Sequence, residues 1–133
     1  MADVMKVRAY AKGIDQTPRK VSLVAGLVRR RSVKDALTIL SYTPKRAAKP
    51  VAKAIESAKA NAIHNHGLDG ETLSISILSV TSGSRLKRYK TAGRGRVHPF
   101  EKKTSNILVE VTGNIKPKKA TTTSTKLKAK EKK

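Results

Sequence analysis

The chain has no cysteine and no tryptophan, one phenylalanine, and only nine acidic residues against thirty lysines and arginines. Without cysteine there can be no disulfide, no thiolate metal site and no thiol nucleophile, a composition compatible with a reducing cytosol. A basic amphipathic membrane anchor draws on Trp, Phe and Leu for its apolar face, so the near absence of large aromatics argues against a membrane surface as the partner. No apolar run is long enough to span a bilayer or to form the core of a signal peptide. The chain reads as cytoplasmic. What it does have is a formal charge of +21 on 133 residues, a self-repelling surplus that opposes compaction unless a polyanion neutralises it. Nucleic acid is the expected partner. An apolar content of 38% suffices for one modest core.

Up to residue 70 the pattern is helical. Thr17 before Pro18 is an N-cap and first-turn signature, and Val21, Val24, Ala25 and Val28 follow at helix spacing up to the cationic run Arg29, Arg30, Arg31, which complements the helix dipole. Ser32 and Asp35 have capping-box spacing for a second, short helix with an apolar stripe of Val33, Ala36, Leu37 and Leu40. A third helix is expected in "PKRAAKPVAKAIESAKANAIHNHG", turning Val51, Ala52, Ile55, Ala58, Ala62 and Ile63 inward and stopping at Gly67. Pro50 fits if the regular helix starts near Ala47 and would kink the interior of a longer one, which leaves the start open.

After Gly70 the period changes to two. Leu73, Ile75 and Ile77 alternate with serines, Leu78 and Val80 continue on the other phase, and Ile107, Val109 and Val111 form a matching strand, so the first strand has either a bulge or two covered faces. "VMKVRAYAKG" near the N-terminus is a third strand candidate, with Val7, Ala9 and Ala11 alternating. The predicted fold is α+β, three helices packed on a small antiparallel sheet with two strands extended into a long β-hairpin. Residues 1–113 form the predicted globular domain, and 114–133, with only Ile115 and Leu127 as large apolar residues, a disordered basic tail.

The hairpin is "SRLKRYKTAGRGRVHPFEKK", residues 84–103, with eight cations, the single acid Glu101, and Gly93 and Gly95 positioned for positive φ in the turn. Nine residues per arm at ~3.3 Å each would carry the tip roughly 30 Å beyond the sheet. An isolated two-stranded ribbon is marginal in water, so it needs an outside partner. Its closely spaced charges suit a channel walled by phosphates, and Tyr89, Phe100 and His98 can stack on unpaired bases.

Three segments, "TPRKVSLVAGLVRRRSVKDALTIL", "VAKAIESAKANAIHNHG" and "GSRLKRYKTAGRGRVHPFEKKTSNILVEV", resemble in that order the bacterial large-subunit ribosomal protein L twenty-two family, over roughly residues 5–113. The resemblance implies a non-enzymatic protein, without cofactor or small-molecule substrate, whose partners are large-subunit rRNA, neighbouring ribosomal proteins and the nascent polypeptide. Carried over by position, the hairpin lines the nascent-peptide exit tunnel, with Tyr89, Lys90, Thr91, Ala92, Gly93, Arg94, Gly95 and Arg96 at its tip. Ala92 departs from the family, which usually has Arg or His there. The expected rRNA-binding cations are Arg8, Lys12, Arg19, Lys20, Arg29, Arg30, Arg31, Lys45, Arg46, Lys49, Arg85, Lys87, Arg88, Lys102 and Lys103.

Two other chemistries fit the sequence less well. His64, His66, Asp69 and Glu71 lie close in sequence, but two histidines two apart at a helix end point in different directions, which argues against a metal or hydrolytic site. A DNA-compacting protein also uses a basic β-ribbon arm, with Val97 and Pro99 as candidate minor-groove wedges, but the short-looped helices and the lack of a dimer seam count against it.

Overall fold

A computed structural model describes residues 5–115. The order of elements is β1 (Met5–Ile14), α1 (Pro18–Val28), α2 (Val33–Tyr42), α3 (Ala48–His66), β2 (Ser74–Thr91) and β3 (Val97–Gly113). The strands form one antiparallel sheet in the order β1-β3-β2, with the helices packed on one face. This is the α+β arrangement expected from the change of period, and the two long strands do form a hairpin.

The helix boundaries follow local chemistry. Thr17 is the N-cap of α1 and Pro18 its first residue, although the Thr17 hydroxyl makes no capping bond. Arg29, the first residue of the predicted cationic run, stands at the C-terminus of α1. It is the extended C-cap residue, and its Nε donates to the Leu78 carbonyl 3.1 Å away on β2. Ser32 caps α2 by accepting from the Asp35 backbone N–H at 3.1 Å. In α3, Pro50 lies within the first turn, where its missing N–H leaves no intrahelical bond unmade. Gly67 at φ 62 ends the helix: its own N–H reaches Ile63, and the Leu68 N–H returns to Ala62 at 3.0 Å.

The core is aliphatic. Val21, Val24, Ala25 and Val28 of α1 and Val51, Ala54, Ile55, Ala58 and Ala62 of α3 meet Ile75, Leu78, Ile107, Val109 and Val111 of the sheet. The alanines of α3 let that helix lie close to the strands. Two side chains predicted to turn inward do so only in part: Ala52 is half-buried, and Ile63 is exposed near the helix end. Leu37 is likewise only partly buried.

The phase change in β2 is a bulge. Ile75 pairs with Val111 and Ile77 with Glu110, so Ser76 is the extra residue and Ile77 turns to the face away from the helices. A second bulge follows at the root of the hairpin, where Ser82 pairs with Ser105 and Arg85 with Lys103. Beyond it the pairing is unbroken to Thr91 opposite Val97. Seven residues per arm at ~3.3 Å make a ribbon of roughly 23 Å, shorter than the nine-residue arms predicted from composition. Past β3, the Asn114 carbonyl accepts from Asp69 and Ile115 bridges to Leu68. From residue 116 onward, the predicted tail lies outside the described residues.

Candidate nucleic-acid interface

The hairpin buries nothing of its own. From Arg85 to Lys103 every residue is exposed except Ala92, which is half-buried. Its two ends are nonetheless well defined. At the tip, the Ala92 N–H donates to the Arg96 carbonyl at 2.7 Å, and the chain reverses through Gly93, Arg94 and Gly95. The left-handed residues are Arg94 at φ 58 and Gly95 at φ 71, so Arg94, not Gly93, shares the turn geometry with Gly95. This sets the Arg94 side chain at the apex. On the shaft, the Lys90 ammonium lies 5.3 Å from the Phe100 ring centre, an exposed cation–π contact.

At the root, the bulge is held by Thr104, whose hydroxyl donates to the Ser84 carbonyl at 2.8 Å. Gly83 faces Thr104 so closely that an added Cβ would lie 2.5 Å from its Oγ1. The loop after β1 supplies a second brace: Asp15 pairs with Lys102 of the hairpin at 3.2 Å and approaches Arg46, before α3, at 4.0 Å. Glu101 lies 3.6 Å from Arg85. The two acids near the root therefore hold specific cations in place, and among the described residues Arg19, Lys20, Lys87, Arg88 and Lys103 have no acidic partner.

Folding brings many of the predicted cations to this root. A groove of about 810 Å³ runs between the first turn of α1 and the hairpin, lined by Arg19, Arg85, Lys103 and the serines Ser22 and Ser82. Another, of about 500 Å³, gathers Lys20, Arg46, Lys102 and Lys103 around Asp15. Lys45 shares a third groove with Lys20 and Arg46, and Lys49 joins Lys45 and Arg46 on a fourth. Residues far apart in sequence thus share neighbouring grooves at the base of the arm, where their cations gather.

Other predicted cations lie elsewhere. Arg29 is tied to Leu78, and Arg30, at φ 60, and Arg31 form the α1–α2 corner, where the Arg31 carbonyl accepts from Ile75. On the sheet, Arg8 pairs at 2.5 Å with the buried carboxylate of Glu110, and Lys12 lies over the Tyr10 ring. Sequence reasoning overlooked Asp15, Thr104 and Glu110, the residues that position these cations. The only sequence signal for the first two was the scarcity of acids and a hydroxyl beside the predicted turn into the sheet.

His64 and His66 are both exposed at the end of α3, and Glu71 pairs with Lys34. Among the described residues no group of three or more His, Cys, Asp or Glu side chains converges as a metal site would require. No helix among them is long and apolar enough to cross a membrane.

The sequence matches one family of known proteins along most of its length. The family model for ribosomal protein L22p/L17e matches residues 9–112. The chain is 42% identical over 108 residues to large ribosomal subunit protein uL22 of Desulfitobacterium hafniense strain Y51, covering 81% of this chain and 95% of the relative. It is 43% identical over 107 residues to the protein of that name from Desulforamulus reducens, covering 80% and 95%. With the Oceanobacillus iheyensis protein the figures are 42% over 108 residues, 81% and 96%.

Proposed function

This chain belongs to the ribosomal protein L22p/L17e family, and from that premise we propose that it binds large-subunit rRNA with the cations at the hairpin root and inserts the hairpin into the nascent-peptide exit tunnel. As a member of that family it is a structural, non-enzymatic component of the large ribosomal subunit. The observation that carries the finer reading is a hairpin that is exposed everywhere but at Ala92 yet held at its root by Thr104 and Asp15. A ribbon with no contacts of its own is marginal in water. One whose root is fixed and whose surface is cationic is built to be enclosed by a polyanion.

The roles divide along the chain. Arg19, Lys20, Arg46, Arg85, Lys102 and Lys103 neutralise rRNA phosphates where the arm leaves the domain, Lys45 and Lys49 extend the contact along the helical side, and Arg30 and Arg31 offer a separate contact at the α1–α2 corner. Lys87 and Arg88 continue it along the shaft. Tyr89 through Arg96 form the part that reaches the tunnel wall, with Arg94 at the apex toward the nascent polypeptide. Ala92, half-buried inside the turn, cannot make the charged contact its family position usually carries, and the adjacent Arg94 and Arg96 supply charge in its place. The tail, 114–133, adds eight lysines, and its contact is proposed to be with rRNA phosphates as well.

Deleting residues 90–96 tests the division of labour. The shortened protein is expected to fold and to enter large subunits at close to the normal level, as read by mass spectrometry of purified subunits, while cross-links from a nascent chain to the hairpin disappear. Failure of the shortened protein to enter subunits would contradict the proposal. Tighter binding of duplex DNA than of large-subunit rRNA fragments in a salt titration would favour the DNA-compacting alternative.

A further inference from the structure

None of the four aromatic side chains is in the core. Tyr10 is 52% exposed, Tyr42 83%, Tyr89 69% and Phe100 41%. Aromatic rings carry large apolar areas, and placing all of them outside a core made of Val, Ile, Leu and Ala leaves them available to a partner. Tyr89 and Phe100 belong to the hairpin. Tyr10 does not, and it occupies a different kind of surface.

The helices cover one face of the sheet and leave the other open. Register places Tyr10 beside Leu108 and Ser79 in one row across the three strands, and Arg8, Glu110 and Ile77 in the next. Glu110 is the acid of this face, and its carboxylate is buried against Arg8. Lys12 sits 5.3 Å from the Tyr10 ring centre, and Lys6 is exposed on the same phase of β1. The apolar area is small and bordered by lysines, which fits a flat, anionic ligand better than an apolar protein surface.

We propose that this open face is a second rRNA contact, separate from the hairpin root, at which an unpaired base stacks on Tyr10 and against Leu108 while Lys12 and Lys6 hold its neighbouring phosphates. The inference rests on the rRNA-binding reading above. Stacking of a base on an exposed ring outweighs a single exposed cation–π contact, so the base displaces the Lys12 ammonium from the ring and delivers it to the phosphate. An antiparallel sheet offering an aromatic ring on its open face is a geometry by which unpaired RNA bases are recognised.

The test is ultraviolet cross-linking of the full-length protein to large-subunit rRNA with peptide mapping, alongside affinities of Tyr10→Phe and Tyr10→Ala. A cross-link in the peptide bearing Tyr10 is expected, near-normal affinity for Tyr10→Phe, and a loss of roughly 5- to 150-fold for Tyr10→Ala at unchanged melting temperature. The Tyr10→Ala loss should leave the salt dependence unchanged, whereas Lys12→Ala should lower its slope by about 0.7–0.9. Cross-links at Tyr89 or Phe100 without one at Tyr10, together with normal affinity of Tyr10→Ala, would overturn this inference and leave the hairpin reading intact. No cross-link anywhere would remove both. Protection of Tyr10 only when other ribosomal proteins are added would make the face a protein interface and also overturn the inference.

Discussion

Gly83→Ala is the substitution whose outcome the structure fixes most sharply. Gly83 has no left-handed φ, so the glycine is there for room and not for conformational freedom. The new Cβ would lie 2.5 Å from Thr104 Oγ1, 3.2 Å from the Thr104 carbonyl carbon and 3.3 Å from Asn106 Oδ1. The threonine cannot swing aside cheaply: it is 9% exposed, and its hydroxyl is engaged with the Ser84 carbonyl. Overpacking of this kind costs about 1–3 kcal/mol, and losing the hydrogen bond adds about 0.5–1.5 kcal/mol. A loss near 2 kcal/mol in a domain of this size lowers the melting temperature by about 8 °C or more. Thermal unfolding followed by circular dichroism reads this directly. Thr104→Ala removes the closest clash, so in the Gly83→Ala background it should cost at least about 1 kcal/mol less than in the wild type. A melting temperature within about 2 °C of wild type for Gly83→Ala, or additive effects in the pair, would refute the account of the hairpin root.

Gly26 in α1 is the converse case, with nothing within 4 Å of an added Cβ, so Gly26→Ala should stabilise the protein by about 0.5–1 kcal/mol in urea denaturation. Arg8→Ala removes the partner of the buried Glu110 carboxylate and, because the Arg8 side chain is itself largely exposed, should cost about 1–2 kcal/mol, while Arg8→Ala combined with Glu110→Gln should recover much of that loss on the same measurement. Gly67→Ala forces a side chain into the left-handed C-cap of α3 and should cost about 1 kcal/mol, visible as faster amide exchange at the end of that helix. Lys103→Ala and Arg19→Ala at the root groove should each reduce the slope of log affinity against log salt by about 0.7–0.9 for rRNA fragments, without altering thermal stability.

The helices were legible because their caps and stripes are local. Thr17-Pro18, Ser32 with Asp35, and Gly67 each mark a boundary within a few residues of the structure they produce. The bulge at Ser76 was legible for a similar reason, as a break in alternation between Ile77 and Leu78, though sequence left open whether both phases were buried. The inward set of α3 was less exact, since near the helix end the Ala62 position takes the packing and Ile63 falls outside it. Contacts between distant segments were not legible. Nothing in the order of residues joins Asp15 to Lys102 and Arg46, or spends Arg29 on the Leu78 carbonyl, because these pairs exist only once the sheet and helices are in place. Sequence identified which residues carry charge at the candidate site. Only the fold sorted them into cations held by Asp15, Glu101 and Glu110 and cations without such partners.

Hydrogen exchange of the backbone amides from Arg85 to Lys103, compared between the free protein and the protein within intact large subunits, tests the central claim most directly. The ribbon has no packing of its own, so in the free protein these amides should exchange far faster than those of Ile107, Val109 and Val111 in the core part of β3. Within the subunit, enclosure by rRNA should slow them by orders of magnitude, tip included. Equal exchange in the two states would mean that the hairpin lies free of the subunit, and the proposed role of the arm would be wrong.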